Sequence, residues 1–552
     1  ETIKPDIGSV VACARANLRS VLLSAQMGIT GANVAVAENG SLVIVENEGN
    51  ARLLASLPSI HVVIIGMDKL VECSEDAMAV LRMLTRCASG DRITSYTTWI
   101  RGPIPYTEGG VEHRELHIIL LDNGRSQWAQ DPWYQEVFQC IQCGACENVC
   151  PPNRRVGGQV FGDSYPGPIG LVLAGLLGPQ ERSDRLLDLC HQCGACKEVC
   201  PGKVDIPSLI LQLKQEHVER FGLPWRSRFM LQKVLPRRRV FNGLMKIGSV
   251  IQRPLVDRDE FIRSVPMFRD QTRFRSLSAL ARKTFRDLWA QLAPRSIEKP
   301  VATVTLFVGC GVNFIYPEIG EAVVRVLRAS GVQVVFPTRQ TCCGSPAHFA
   351  GDVQTLFSLA RENVQALCAS PSDCIITVCP SCAVALKHTY PALAPDDETW
   401  QRRAQEIADK TKDFSEFLVD LLNFVPETRM RSETGDRERV TYHEPCHLAR
   451  TLGVRGQPKR LIRQLEGAEL VEMGDPGTCC GFNAGFSFSF PELSSEILKE
   501  KLENIEATDA EFVLTDCPGC IFQIRGGLNR RGSRIETMHT AEFLAWKMGL
   551  LR

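Results

Sequence analysis

The sequence predicts a multidomain α/β protein, and three observations lead to this fold class. The chain has 552 residues, which at roughly 150 residues per domain suggests three to five domains. Short apolar runs alternate with amphipathic helical stretches at both ends of the chain, as in sheets covered by helices. The C-terminal half also repeats its own cysteine pattern, which indicates a duplicated domain.

The overall charge excludes one class of function. Lys and Arg together number 63, and Asp and Glu also number 63, so no global field attracts the chain to a polyanion. We therefore expect no nucleic-acid partner. No apolar run reaches the roughly 18–20 residues that a membrane helix requires, and we expect no transmembrane segment.

Residues 1–128 are expected to form one α/β domain. Two β-rich runs flank Asn39 and Gly40, a strong hairpin signal. His61–Met67 and Leu116–Leu121 are typical of buried strands, and an amphipathic helix is expected between them from about Lys69 to Cys87.

Residues 129–222 lose the strand signal and carry two runs of the form C-x-x-C-x-x-C-x-x-x-C-P. This is the bacterial ferredoxin spacing, in which three cysteines hold one [4Fe-4S] cluster and the fourth crosses to the other. Two zinc sites are the alternative, but zinc would use pairs of C-x-x-C and would not need the proline. The spacing predicts one cluster on Cys140, Cys143, Cys146 and Cys200, and a second on Cys190, Cys193, Cys196 and Cys150.

Residues 223–299 are expected to form a basic, mostly helical linker. The stretch 225–254 has eight Lys or Arg residues, no Asp or Glu, and interleaved aromatic and aliphatic residues. It either lies on neighbouring domains or docks on an anionic membrane or an acidic partner.

Two α/β blocks follow, at 300–395 (the first block) and 438–552 (the second block), with a charged helical connector expected over 396–437. Cys310 and Cys446 are 136 residues apart, and the later cysteine pairs differ by 137 and 138. Each group follows a predicted strand and precedes a helix. The predicted metal ligands are Cys310, Cys342, Cys343, Cys379 and Cys382 in the first block, and Cys446, Cys479, Cys480, Cys517 and Cys520 in the second.

This placement predicts a site at one edge of each sheet. In an open parallel sheet the carboxyl ends of the strands form one crevice, and the following helix N-termini favour thiolates there. Four cysteines would hold an ordinary cubic cluster, so the fifth is either spare or indicates an unusual cluster; buried free thiols are the simpler alternative. His443 and His447 flank Cys446 and could bond to cluster sulfides or relay protons, although a structural role is the simpler interpretation.

The motifs resemble a known family. GITGANVAVAENGSLVIVENEGNARL, HVVIIGMDKL, HIILLDNGRS, CIQCGACENVCP and YPGPIG resemble the B subunit of the bacterial lactate-utilization system, which carries a LUD domain. FVGCGVNFIYPEIGEAVVRVL, TCCGSPAHFAG, YHEPCHLARTLG, CCGFNAGFSFSFPELS and KLENIEATDAEFVL resemble the A subunit, a tandem cysteine-rich CCG-domain protein. The chain therefore looks like a B–A fusion.

The resemblance implies a fold and a function. The first domain would be part of a LUD domain, similar to the NagB/RpiA/CoA-transferase fold, with much of its N-terminal half absent. The chain would be an iron-sulfur electron-transfer subunit of a complex that oxidises L-lactate to pyruvate, and it would pass electrons toward a respiratory acceptor. We expect two [4Fe-4S] clusters in the ferredoxin-type region and one or two more in the blocks.

The resemblance also implies partners and an alternative. No G-x-G-x-x-G follows a strand, so a flavoprotein dehydrogenase or another lactate-utilization subunit is expected, with a quinone or membrane-associated group as acceptor. Clustered thiols indicate the cytoplasm, with peripheral placement on the inner membrane face. The complete cysteine sets are also similar to glycolate oxidase and heterodisulfide reductase subunits, which implies noncubane [4Fe-4S] clusters and an enzyme that catalyses disulfide or hydroxy-acid chemistry itself. No catalytic residue is assigned.

Overall fold

A computed structural model describes residues 6–103, 114–161, 165–178, 186–265, 268–292, 296–394, 396–430 and 437–551. Every structural statement below concerns these residues. The α/β multidomain class is confirmed. Parallel sheets occur in the N-terminal and C-terminal parts of the chain, and the part of the sequence between them is mainly helical.

The N-terminal region contains two sheets, a parallel one in the order β1-β4-β7 and a mixed one in the order β5-β2-β3-β6. Its strands are β1 (Met27–Thr30), β2 (Val34–Val36), β3 (Leu42–Glu46), β4 (Ile60–Gly66), β5 (Leu70–Val71), β6 (Tyr96–Ile100) and β7 (Glu115–Leu121). Its helices are α1 (Ile7–Ser24), α2 (Asn50–Ser56), α3 (Ser74–Ala88) and α4 (Arg125–Trp128). The predicted hairpin is confirmed as β2–β3, with Gly40 in the left-handed region at φ 70°.

One strand prediction in this region is wrong in its burial. β7 lies where a strand was expected, but most of its side chains are exposed. It is an edge strand of a three-stranded sheet, and α1, the helix that precedes the sheet in the chain, buries none of its own residues. The apolar face of β7 is therefore left open to solvent.

The ferredoxin-type region has no strand among its described residues. Its helices are α5 (Ala145–Val149), α6 (Asn153–Val156), α7 (Gly158–Phe161), α8 (Gly167–Leu177), α9 (Ala195–Val199) and α10 (Ile206–Phe221). α8 packs on α10, and their buried aliphatic side chains form a core beside the cysteine loops.

The linker region is mostly helical, as expected. It contains α11 (Trp225–Arg228), α12 (Arg238–Ile251), α13 (Arg269–Phe274) and α14 (Phe285–Leu292), together with a short antiparallel pair, β8 (Phe261–Ile262) and β9 (Leu277–Ser278).

The two blocks have the same sheet topology. The first block contains β10 (Ala302–Phe307), β11 (Val332–Val335) and β12 (Cys374–Thr377), and its sheet continues into β13 (Thr411–Asp413). Its helices are α15 (Gly309–Phe314), α16 (Pro317–Ala329), α17 (Ser345–Phe349), α18 (Val353–Cys368), α19 (Pro380–Val384) and α20 (Tyr390–Ala392), followed by α21 (Glu398–Lys410) and α22 (Phe414–Glu416). The segment predicted as a helical connector thus supplies one strand of the first sheet.

The second block contains β14 (Glu438–Tyr442), β15 (Ala468–Leu470), β16 (Phe512–Thr515) and β17 (Glu536–His539). Its helices are α23 (Gln457–Arg463), α24 (Ala484–Ser489), α25 (Pro491–Glu506), α26 (Pro518–Arg531) and α27 (Thr540–Lys547). The orders β11-β10-β12-β13 and β15-β14-β16-β17 correspond strand for strand, and all pairs are parallel. One continuous apolar core joins the two blocks, with α16 packed on α27.

Single 3-10 or π turns extend or separate these helices, at Met67–Lys69, Gln135–Gln139, Leu187–Leu189, Phe229–Val234, Arg253–Leu255, Ala385–Thr389, Phe417–Leu421 and His447–Thr451.

Candidate metal centres

The two ferredoxin-type runs form two loops of the same shape, which we call the first loop (140–150) and the second loop (190–200). Each turns through a Gln and a Gly with positive φ, Gln142 and Gly144 in one and Gln192 and Gly194 in the other. Each then enters a five-residue helix, α5 or α9. Glycine tolerates this left-handed conformation without strain, and the turn directs successive cysteines toward one point.

The first loop borders a cavity of about 230 Å³. A water molecule needs only about 10–15 Å³ by this measure, so the cavity has room for a much larger group. The cysteines in its wall are Cys140, Cys143, Cys146 and Cys200. Burial raises the pKa of Cys146 to about 12, which keeps the metal-free thiol protonated until a metal displaces the proton.

Cys150 lies instead beside the second loop. Its electrostatic neighbours include Cys193 and Cys190, and burial raises its pKa well above the usual range. Cys196 is buried among Cys190, Cys193 and Cys150, with its pKa raised by the same cause. The structure thus gathers the second set of four sulfurs around the second loop.

The cysteines of the first block meet at the carboxyl ends of β10, β11 and β12. The thiol of Cys310 lies beside that of Cys342, Cys342 beside Cys343, and Cys343 beside Cys382. Cys379 completes the chain through Cys382. The five predicted residues are therefore brought together in one place.

The second block repeats this arrangement. Cys446 contacts Cys479, which contacts Cys480. The Sγ atoms of Cys480 and Cys520 are 3.4 Å apart, and the thiol of Cys517 lies beside that of Cys520. All of these cysteines are free thiols.

The second loop lies directly against the second block, a contact that the sequence did not predict. Cys193, Cys446 and Cys479 belong to one small buried cluster. The His191 ring is also buried there, and although burial opposes protonation, the neighbouring sulfurs of Cys479 and Cys193 raise its pKa well above the usual value. The first loop has Ile141 at the position that His191 holds in the second loop. This difference between the two runs is the sequence signal that sets His191 apart.

His447 connects three parts of the molecule. Its Nδ1 is 3.0 Å from Ser381 Oγ in the first block, and its Nε2 is 3.0 Å from the Gln192 carbonyl in the second loop. Both ring nitrogens are therefore hydrogen-bonded, which fits the structural role expected for this residue.

His443 is different, because neither of its ring nitrogens makes a hydrogen bond of normal geometry. The side chain is fully buried, and burial, with a contribution from Lys501, lowers its pKa to about 3. The ring is therefore neutral at physiological pH.

A buried cation from the linker faces the second block. Arg275 has no exposed surface, and its guanidinium lies 5.1–5.8 Å from the ring centroids of Phe274, Phe482, Phe488 and Phe522. It donates hydrogen bonds to Gln523 and Ser487. Cys480 is among its electrostatic neighbours, so it places positive charge beside this sulfur group.

The donor chemistry fits iron-sulfur clusters. Both loops and both blocks present several buried or half-buried thiols with no disulfide partner, and thiolate sulfur is the ligand that iron-sulfur clusters prefer in proteins. The loop cavity is large enough for more than a single ion.

Among the described residues, no helix combines the length and apolar composition required to cross a bilayer.

Comparison with known proteins agrees with these regions. Three family models match: the LUD domain over residues 2–121, the 4Fe-4S dicluster domain over 136–204, and the Cysteine-rich domain twice, over 304–387 and 440–525. They confirm the LUD, ferredoxin-type and duplicated cysteine-rich regions expected from the sequence.

Relatives of two kinds match the chain. Lactate utilization protein A of Geobacillus kaustophilus is 38% identical over 242 residues, which cover 44% of this chain and 98% of that protein. Lactate utilization protein B of Anoxybacillus flavithermus is 38% identical over 279 residues, which cover 50% of this chain and 58% of that protein. A solved structure of a hypothetical protein from Helicobacter pylori covers 79% of this chain and 78% of its own, at 10% identity and a TM-score of 0.42.

Proposed function

The chain belongs to the lactate utilization protein A family and also carries a region similar to protein B, and we propose that it is the iron-sulfur electron-transfer subunit of an L-lactate-oxidising complex. In this proposal it accepts the electrons released when lactate becomes pyruvate and delivers them toward a respiratory acceptor. The observation that carries the proposal is the contact of the second loop with the second block, where Cys193 and Cys479 share one buried cluster.

The ferredoxin-type ligands are assigned in the crossed pattern. One [4Fe-4S] cluster would be held by Cys140, Cys143, Cys146 and Cys200, which all line the 230 Å³ cavity. The other would be held by Cys190, Cys193, Cys196 and Cys150. The position of Cys150 among the second loop's sulfurs supports this assignment.

Each block would hold a further cluster on its five cysteines, Cys310, Cys342, Cys343, Cys379 and Cys382 in the first and Cys446, Cys479, Cys480, Cys517 and Cys520 in the second. Five thiols per group are one more than a cubic [4Fe-4S] cluster needs, which supports a noncubane form. When bound, such clusters supply one-electron transfer at potentials set by charge, hydrogen bonding and exposure.

The protein's own residues would hold the thiolates close together and away from water. Cys193 and Cys479 are buried, and the low dielectric around them reduces the reorganisation of solvent when charge moves. Arg450 fixes the contact, since its Nε donates to Glu198 of α9 at 2.9 Å and its Nη2 donates to the Gly477 carbonyl at 3.0 Å.

In this proposal a partner carries out the two-electron step. Oxidation of a hydroxy acid removes two electrons, usually as a hydride to a flavin or nicotinamide cofactor, and the sequence lacks the G-x-G-x-x-G fingerprint for either. We therefore include a flavoprotein dehydrogenase or another lactate-utilization subunit in the proposed complex.

The alternative is a chain that catalyses disulfide or hydroxy-acid chemistry itself, as the complete cysteine sets of both blocks would allow. The two functions differ in a simple assay on anaerobically purified protein. Under the proposed function the chain alone does not reduce an artificial dye with L-lactate, and reduction begins when the partner subunits are added. Lactate oxidation by the chain alone would favour the alternative.

Peripheral membrane placement on the inner face is also part of the proposal. On α12, Val240, Leu244, Ile247 and Ile251 recur at helical spacing and are 45–69% exposed. The same segment, 225–254, carries exposed arginine and lysine side chains. An exposed apolar stripe in a basic segment is typical of a helix that lies on an anionic membrane surface, where a quinone acceptor would be found.

Vesicle flotation tests this placement. The chain should bind phosphatidylglycerol-containing vesicles, and both added salt and the change Leu244→Asp should weaken binding. Val301→Asp, at an exposed apolar residue outside the segment, is the matched control. Equal binding to phosphatidylcholine vesicles, or no effect of Leu244→Asp, would contradict membrane docking by α12.

A further inference from the structure

His443 is a buried polar side chain for which the fold provides no hydrogen bond. It follows directly after β14 and lies three residues before Cys446. Its exposed fraction is 0%, and neither ring nitrogen has a hydrogen bond of normal geometry. Leaving a buried polar group unpaired costs about 1–3 kcal/mol, so a ligand for the ring is the expected explanation.

The ring nitrogen lies among sulfur atoms of the second block. One nitrogen of His443 and the Sγ atoms of Cys480 and Cys520 are all within 4.8 Å of one another. Two thiolates and one imidazole are a common donor set for zinc and for iron. A single metal atom could contact all three after small side-chain adjustments.

The first block provides an internal comparison. Phe307 lies three residues before Cys310, the position that His443 holds relative to Cys446. Phe307 is fully buried and packs with Cys343 and Cys382, the counterparts of Cys480 and Cys520. The equivalent position therefore holds an apolar side chain in the first block and a residue type that commonly binds metals in the second block.

The second ring nitrogen also has a suitable neighbour. The Pro476 carbonyl approaches the His443 ring without forming a hydrogen bond of normal geometry. Metal-binding histidines usually donate their other N–H to a carbonyl or carboxylate, which fixes the ring. In the proposed site this carbonyl would be the acceptor for the second ring nitrogen.

We propose that His443 binds the metal centre of the second block through a ring nitrogen, giving this centre one donor more than that of the first block. The inference rests on the proposed metal binding by the second block and not on the lactate reaction. A neutral imidazole adds no negative charge, whereas another thiolate would, so the second centre would be easier to reduce than one with an additional thiolate.

Pulsed electron paramagnetic resonance on the anaerobically prepared full chain tests this proposal. Protein labelled with ¹⁵N-histidine should show a strong histidine-nitrogen coupling to a paramagnetic iron centre. The change His443→Phe, which copies the first block, should abolish this coupling. His447→Gln is the matched control and should leave it, since both nitrogens of His447 are already hydrogen-bonded.

The reciprocal change Phe307→His keeps the test informative if His443→Phe fails to fold, because it should add a second nitrogen coupling from the first block. An iron-loaded second block without any coupling that depends on His443 would overturn the ligand assignment and leave the proposed function intact. Iron content unchanged when Cys479, Cys480 and Cys520 are all changed to Ala would instead show that the second block holds no iron, which would contradict the proposed function as well.

Discussion

The first and second blocks share four parallel strands in the same order and five cysteines at matching positions, yet their sulfur groups have different neighbours. The second block faces Cys193 and His191 of the second loop and the buried cation Arg275. The first block is connected to the second loop through Ser381 and His447. The two blocks thus have the same strands and the same cysteine positions, whereas the residues around the two sulfur groups differ.

The largest expected effect separates the metal sites of the blocks. Cys342→Ala should remove iron from the first block only and leave the ferredoxin-type signals unchanged. Cys479→Ala should remove iron from the second block and also perturb the signal of the second-loop cluster, because Cys479 lies beside Cys193. Iron analysis and electron paramagnetic resonance measure both effects.

Cys374→Ala is the control for these two variants, since Cys374 is buried in β12 but lies outside the cysteine groups. It should retain all of the iron. Identical spectra for the Cys342 and Cys479 variants would contradict the difference between the blocks.

The next effect concerns the buried cation. Arg275→Met keeps the aliphatic stem but removes the charge from the four-ring cage, and it leaves Gln523 without its donor. Cation–π contacts contribute up to about 2 kcal/mol when desolvated, so we expect the free energy of unfolding to fall by about 2 kcal/mol in a denaturant titration. The exposed neighbour Arg273 provides the control Arg273→Met, and an equal effect of both changes would contradict a specific role for the cage.

A smaller effect is expected at the rim of the contact between the second loop and the second block. Glu198 accepts from Arg450 and Arg455 and is partly exposed. Exposed ion pairs contribute about 0.2–1 kcal/mol, so Glu198→Gln should lower thermal stability slightly, and added salt should reduce the difference from the parent chain. A salt-independent loss would indicate that packing, not charge, holds this rim.

The smallest effect is the pH dependence of stability that Glu542 contributes. Burial raises the pKa of Glu542 at the start of α27 from 4.5 to about 7. Between these values the folded chain retains a proton that the unfolded chain releases, so the contribution of this carboxyl to stability falls as pH rises from about 4.5 to 7. Glu542→Gln should flatten this part of the stability profile, and an unchanged slope would contradict the assignment.

The sequence predicted the parts of the molecule that depend on local pattern. Apolar runs located the strands, and the positions of Cys310, Cys342 and Cys379 after them placed the thiols at one edge of a parallel sheet, because the carboxyl ends of parallel strands coincide. The ferredoxin spacing likewise brought the loop cysteines together.

Contacts between distant segments could not be predicted in this way. Arg275 donates a hydrogen bond to Gln523, 248 positions away in the chain, and His447 is hydrogen-bonded to Gln192, 255 positions away. Neither hydrophobic periodicity nor motif spacing predicts which distant residues will meet. The exposure of β7 was missed for a related reason, since an apolar run shows that a side chain could be buried but not that another element covers it.

Iron and acid-labile sulfide determination on protein purified without air tests the central claim most directly. We expect a brown chain with iron and sulfide in similar amounts, and both should fall in steps when Cys143, Cys342 or Cys479 is changed to Ala. A colourless preparation that holds zinc and no sulfide would contradict the account.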